Sequence, residues 1–515
     1  MKILIGQAYH LRLDPKNWQA MELYPPLGSL YAASVLRVAG HDIAFSDSMI
    51  AEDTDTWTGA LEREAPDVAL IYEDNFNYLT KMCLLNMRDA AADMIRAAKA
   101  RGAVVVVAGS DASDVPEAYL GFGADVVILG EGEATLEELI TRIDTTGLDR
   151  LEAIAGIVFT GPDGSVETTG KRRVIRNIDT LPAPAWDLID MENYRQHRRA
   201  YGKPFELNVA TSRGCPFHCN WCAKPIWGRV YHARSPEQTA VEFATLKTRA
   251  QPERIWVMDD IFAMKPGWAR SFAEALEARD AHIPFKCLSR ADLLLREGEV
   301  AALADAGCAE LWIGAESGSQ TILDAMEKGT DIAEIDKATR VLRDHGIKIG
   351  FFLQYGYPGE GWAEIRHTFA LLKRNLPDKL GISVSYPLPG TPFHDRVLDR
   401  LGAKRNWEHS DDLDLMYRGP FNKRFYRVLH RYTHALLRWY KGTANPVMRK
   451  PSGQPDWPGS LRRLAGTARA FGRLALLAPV LHFHRLTSAK GMEALEPERS
   501  RADAGLDKIT LGSGR

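Results

Sequence analysis

Two successive series of short apolar runs, separated by amphipathic helical stretches, restrict this chain to the α/β class. In the first series KILIGQA, HDIAFSD, PDVALIY, AVVVVAGS and ADVVILGEGE read as strands. LGSLYAASVLRVAG, stopped by Gly40, and ATLEELITRI read as helices. Runs this uniformly apolar are buried on both faces, which predicts a parallel, doubly wound sheet with helices on either side. Ligands of such sheets lie beyond the carboxyl ends of the strands. Gly109, Ser110 and Asp111 of AGSD and Gly130, Glu131 and Gly132 of GEGE fall there. A missing side chain at these places either admits a flat ligand to the backbone or simply makes a tight turn.

The second series begins near residue 205, with FELNVATSRGC, RIWVMDD, PFKCLSR, AELWIGAES, KIGFFLQYGYPG and LGISVSYPLPG. Six strands with helices between them predict an open, partial (β/α)6 barrel, its functional residues at the carboxyl ends of the strands. Between the two series, AGIVFTGPDGSVETTG reads as a hairpin turning at Asp163-Gly164, and LPAPAWDLID as a proline-rich crossing. The expected division is a Rossmann-like domain over 1–145, a connector with a hairpin over 146–200 and the partial barrel over 201–400. A basic helical region over 401–490 and a disordered tail over 491–515 complete it.

A chain of 515 residues exceeds one ordinary core, and 45% hydrophobic with 26% charged residues is a soluble globular balance. A net charge of -2 argues for no particular partner. MKILIGQAYH suits a first strand better than a signal peptide. No uninterrupted apolar run approaches the roughly 20 residues of a membrane span. The expected compartment is the cytoplasm, where thiols stay reduced. Residues 421–490 hold 14 Lys and Arg against one acid, Asp456. This basic, aromatic stretch suits an anionic membrane surface or an acidic substrate, or else a solvated helical face packed on the barrel.

Three of the six cysteines, Cys215, Cys219 and Cys222, lie within TSRGCPFHCNWC. In a reducing compartment such a group points to metal rather than to disulfides. Three thiolates at C-x3-C-x2-C can hold three irons of an iron–sulfur cube and leave the fourth open. A structural zinc site needs a closed tetrahedron, for which His218 would have to serve beside Cys219. Cys83, Cys287 and Cys308 stand singly in apolar runs, as small core residues do.

GCPFHCNWC resembles the cluster loop of radical S-adenosylmethionine (SAM) enzymes, with Trp221 as the aromatic before the last cysteine. VMDDIF, LSRADLL, GAESGS, MEKGT, YGYPGE and YPLPGTP follow in that superfamily's order. PPLGSLYAASVLRVAGHD and GADVVILGEGEATLEELI resemble the cobalamin-binding domain that precedes the barrel in one large subclass. Together the resemblances cover about residues 1–400. Two departures stand out: no D-x-H-x-x-G supplies a histidine to cobalt, and AGSDAS has Ser110 and Asp111 where relatives often show Gly and a proline-containing turn.

The resemblance implies a [4Fe-4S] cluster on Cys215, Cys219 and Cys222, with SAM on the open iron. Asp259 and Asp260 would accept hydrogen bonds from the SAM ammonium, or cap a helix. Arg290 and Glu316 would meet its carboxylate and ribose, or pair with each other. Ser317, Gly318 and Ser319 lie beside them, and Gly356, Tyr357 and Pro358 would shape the adenine pocket. Gly109, Ser110, Gly130, Glu131 and Gly132 would contact cobalamin, with Glu73 or Asn75 toward its lower face.

The implied activity is methyl transfer to an unactivated carbon through a 5'-deoxyadenosyl radical. The alternative is an oxidative cyclase or hydroxylation-type reaction, as in the anaerobic magnesium-protoporphyrin IX monomethyl ester cyclase. The expected partners are a small-molecule, lipid or tetrapyrrole substrate and an electron donor such as flavodoxin or ferredoxin. A cofactor sensor whose basic tail binds nucleic acid is a third reading, but no DNA- or RNA-reading module accompanies it.

Overall fold

The computed structural model describes residues 1–76, 84–222, 224, 226–402, 406–410, 413–444, 448–449 and 455–493. The first sheet contains β1 (Lys2–Gly6), β2 (Asp42–Phe45), β3 (Val68–Tyr72), β4 (Val104–Ala108), β5 (Val126–Ile128), β6 (Ile157–Thr160) and β7 (Val166–Thr168). Their order is β2-β1-β3-β4-β5-β6-β7. The first five strands are parallel and the last two antiparallel. The β6–β7 hairpin, expected as a connector, therefore extends this sheet.

Both faces of the sheet are buried, as the apolar runs require. Val68, Leu70 and Tyr72 of β3 face one core with Leu36, Leu136 and Ile140. Ala69 and Ile71 face a second core with Leu61, Ala91 and Ile95. Strand order reverses between β1 and β3, which opens a crevice at their carboxyl ends.

The second sheet is the half-barrel: β8 (Glu206–Val209), β9 (Arg254–Val257), β10 (Phe285–Ser289), β11 (Cys308–Glu316), β12 (Lys348–Tyr355) and β13 (Lys379–Val384). These six strands are parallel and neighbour one another in sequence order. Helices such as Pro236–Arg249, Trp268–Glu277, Ile332–Asp344 and Trp362–Asn375 connect them.

The amino-terminal end of the half-barrel is closed by charge. Glu206 meets Lys286 at 2.6 Å and Arg254 at 2.5 Å and accepts from the Tyr24 hydroxyl at 2.8 Å. Burial pushes this carboxyl up, but Lys286, Arg254 and Arg198 outweigh burial and hold it at about 2. The segment around Tyr24 comes from the first domain. Arg198 donates to the carbonyls of Met21 and Leu23, and Asn208 donates to that of Pro25.

Two long helices follow: α1 (Lys423–Ala444) and α2 (Trp457–Glu493). They run antiparallel, with Asn422 N–H donating to Ser488 Oγ at one end and Gly442 against Thr467 at the other. α1 buries Phe425, Tyr426, Leu429 and Thr433, and Thr433 Oγ1 meets the Tyr355 hydroxyl at 3.1 Å. Residues 491–493, expected to open a disordered tail, instead belong to α2, which continues to Glu493; residues 494–515, like Cys83, lie outside the described residues.

Candidate functional site

The cysteine loop leaves the carboxyl end of β8 and is fixed at its start by Asp259, just beyond β9. Asp259 accepts from the Thr211 and Ser212 amides at 2.7 and 3.1 Å and from their hydroxyls at 2.5 and 2.6 Å. Burial pushes its pKa up to about 6 against these four donors. Asp260, the next residue, is exposed and within electrostatic reach of Cys215 and Cys222. Of the acidic pair, one residue anchors the loop and the other faces its thiols. Gly214 makes the turn at φ 79°, where a Cβ would run into the Val230 carbonyl.

The loop's far end is pinned by Asn220, which sequence reasoning did not single out. Its amide group donates to Ala325 O at 2.8 Å and Glu327 Oε1 at 3.1 Å. Its side-chain oxygen accepts from the Tyr357 hydroxyl at 2.7 Å, and its N–H donates to Met326 O. Tyr357, expected at the adenine pocket, thus braces the loop.

Cys215, Cys219 and Cys222 are not in disulfides. Burial raises the Cys215 pKa, and burial followed by Asp260 raises Cys222 to about 12. Burial therefore keeps Cys215 and Cys222 protonated until a cation displaces the protons. His218, which a zinc tetrahedron would recruit, is exposed. Among the described residues no three His, Cys, Asp or Glu side chains are gathered to hold a single metal ion. Within the loop the Trp221 Nε1 is buried without a hydrogen-bond partner. Three reduced cysteines on one loop, beside the orphaned Trp221 donor, fit a cluster with a ligand on it better than a closed mononuclear site.

Glu316 ends β11 in the left-handed region at φ 55°, at an irregularity in the β11–β12 register. Such strain in a non-glycine residue persists only where its surroundings hold it. Here Lys328 holds it, with Nζ 2.9 Å from Glu316 and 5.9 Å from the Trp221 ring. Arg290 does not pair with Glu316. It meets Asp292 at 2.9 Å, donates to the carbonyls of Lys328 and Gly329, and stacks over Phe217 at 3.7 Å. Lys328 is the residue missed here, although MEKGT contains it.

Ser317 and Gly318 close against the helix Trp362–Asn375, where Gly318 N–H donates to Thr368 Oγ1 at 2.9 Å. A Cβ on Gly318 would overlap the His367 backbone. Gly356, at φ 85°, donates to Glu360 at 2.5 Å and accepts from the Tyr417 hydroxyl. Burial pushes Glu360 up to about 8. Its proton is kept in the folded protein but lost near 4.5 in the unfolded chain, so this group's contribution to stability falls as pH rises from about 4.5 to about 8. Glu360→Gln is expected to remove that slope, an effect on the order of a few kcal/mol, read from urea midpoints measured between these pH values. An unchanged slope would assign the titration elsewhere.

At the crevice of the first sheet, Gly109 lies so close to Glu73 that a Cβ would stand 2.8 Å from its side chain. Gly132 crosses the Tyr72 ring as tightly, with 2.6 Å to the hydroxyl. Gly130, at φ 70°, faces the Ile226 carbonyl. Ser110 donates to Asn75 at 3.3 Å, and Glu73 accepts from the Ala8 amide at 2.7 Å. Gln7, which follows β1, has its Oε1 buried without a partner. An orphaned acceptor at the topological switch point fits a domain that takes a polar ligand there.

Glu131 turns away from that crevice. It and Glu133 bracket the buried guanidinium of Arg213, two residues before Cys215; the Glu133 contact is 2.7 Å. Tyr31, Phe76 and Trp227 surround the same guanidinium at 5.6, 5.6 and 5.8 Å. The two sheets thus meet at the cysteine loop through an ion triad.

Two family descriptions match the chain: the B12 binding domain over residues 20–140 and the radical SAM superfamily over 209–372. An uncharacterized methyltransferase of Pyrococcus horikoshii is 27% identical over 397 residues, spanning 76% of this chain and 82% of its own length. The anaerobic magnesium-protoporphyrin IX monomethyl ester cyclase of Rubrivivax gelatinosus is 25% identical over 283 residues, 54% of this chain and 50% of that protein. The structure of the radical SAM methyltransferase TsrM from Kitasatospora setae, with cobalamin and a [4Fe-4S] cluster bound, superposes with a TM-score of 0.63. That match has 19% identity over 77% of this chain and 74% of TsrM, a likeness of fold. The expected architecture holds: the chain carries a B12-binding domain in series with a radical SAM superfamily half-barrel.

Proposed function

We propose that the chain is a cobalamin-dependent radical SAM methyltransferase acting on an unactivated carbon of a small-molecule or lipid-like substrate. The observation that carries this reading is the Arg213 triad, which sets the three-cysteine loop directly against the B12-binding domain. The matched methyltransferase of Pyrococcus horikoshii, which aligns across both domains, supports methyl transfer over cyclisation. When bound, the cluster with SAM supplies a 5'-deoxyadenosyl radical and cobalamin supplies a transferable methyl group.

The chain's own part is to hold and orient. Cys215, Cys219 and Cys222 would grip the cluster, with Trp221 beside it. Asp260 would accept from the SAM ammonium, while Asp259 keeps the loop in place through Thr211 and Ser212. Glu316, set by Lys328, and Ser317 would line the nucleoside side, with Arg290 and Gly356 shaping its walls. Gly109, Ser110, Gly130 and Gly132 would border cobalamin, and Glu131 would act through Arg213. A flavodoxin- or ferredoxin-type carrier would deliver the electron in the cytoplasm. A lipid-like substrate also suits a C-terminal region resting at a membrane surface.

The test is anaerobically reconstituted protein incubated with methyl-labelled SAM, a low-potential reductant and a cellular extract of metabolites and lipids. Label is expected in an extracted product. Release of 5'-deoxyadenosine with no label transferred would replace methyl transfer by the cyclase-type reaction.

A further inference from the structure

Among the described residues, eight of the fifteen large hydrophobic side chains left exposed lie on α2. They are Trp457, Leu461, Leu464, Phe471, Leu476, Val480, Phe483 and Leu486, between 43% and 74% exposed. Scattered apolar residues at a surface need no explanation; a single helix holding most of them does.

The helical phase separates two apolar faces. At 100° per residue, Ala470, Leu474, Leu481 and Ser488 fall on one side, and these are the buried ones. Trp457, Leu461, Leu464, Phe471 and Leu486 fall on another, with Leu476, Val480 and Phe483 continuing it around the helix. Arg462, Arg469 and Arg473 line the flank of that outer face, and no Asp or Glu occurs from Trp457 to Met492. On the paired helix, Arg424, Arg427, Arg431 and Arg438 are also exposed. The hairpin thus presents apolar surface edged by cations.

From these positions we infer that the outer face of α2 is a seat on an anionic lipid bilayer, lying in the interface plane with its apolar side chains inserted. Residues Trp457–Ser488 are long and apolar enough to cross a membrane. Crossing, however, would carry Arg469 and Arg473 into the hydrocarbon and strip away the face that packs on α1. A second copy of the chain would bring the same arginines against each other. An anionic surface answers both the apolar and the cationic edges. Lipid binding by this face is independent of which reaction the half-barrel runs, so its failure and the failure of methyl transfer are read separately.

The experiment uses the full-length reconstituted protein, sedimented with phosphatidylcholine vesicles with and without phosphatidylglycerol. Binding is expected to the anionic vesicles and to weaken steeply with salt. Replacing Arg462, Arg469 and Arg473 together by Gln is expected to weaken it about a hundredfold. Leu476→Ser with Phe483→Ser is expected to weaken binding as well, and neither variant should change iron content or circular dichroism. Four results would overturn the inference: no binding to either vesicle, equal salt-insensitive binding to both, resistance of the cellular protein to alkaline carbonate extraction, or a dimer that the same substitutions dissociate without any lipid binding.

Discussion

Arg213→Met is expected to destabilise the protein by about 3–5 kcal/mol, because it leaves Glu131 and Glu133 buried side by side without their cation. The guanidinium is 3% exposed and its partners 5%, so water does not replace the lost contacts. Urea unfolding midpoints measure the effect. Arg213→Lys is expected to recover only part of it, since one ammonium does not reproduce a planar fork that reaches two carboxylates. Adding Glu131→Gln and Glu133→Gln to Arg213→Met should restore much of the stability, because the penalty comes from orphaned charge. If Arg213→Met unfolds at the wild-type midpoint, the triad is not the join between the domains.

Alanine at Cys215, Cys219 or Cys222 is expected to abolish iron–sulfide retention and reductive cleavage of SAM. Each thiol is held on a loop tied at one end by Asp259 and at the other by Asn220. Among the described residues no other cysteine can replace a missing one: Cys287 and Cys308 are buried inside the half-barrel sheet, 3.8 Å from each other. Iron and acid-labile sulfide analysis of anaerobically reconstituted variants checks this. Full retention of iron by the triple-alanine variant would remove the cluster from this loop.

Much of this architecture is legible in sequence because it follows local periodicity. The apolar runs became the strands, and the order of motifs around the half-barrel became the order of strand ends. What stayed hidden depends on direction and distance. Asp259 and Asp260 are adjacent at a strand end, where successive side chains point opposite ways, and nothing local says which one turns inward. Arg213 and Glu131 are 82 residues apart, so their pairing is a fact of domain docking. Asn220 sits openly inside the cysteine loop, yet its role comes from Ala325, Glu327 and Tyr357, which only the closed sheet brings near. The Asp163-Gly164 turn announced a hairpin but not the edge that it would lengthen. Basic content likewise announced the C-terminal helices, while the outward phase of α2 shows only when its partner helix is in place.

The plug at the bottom of the half-barrel has one more consequence. Residues 21–26, which reach Arg198, Glu206, Asn208 and Lys286, belong to the first domain. Swinging the domains apart would pull a stopper from its vessel and strand several charges in the dry neck. Access for reactants is therefore directed to the opposite rim, where the cysteine loop and the carboxyl ends of the strands lie.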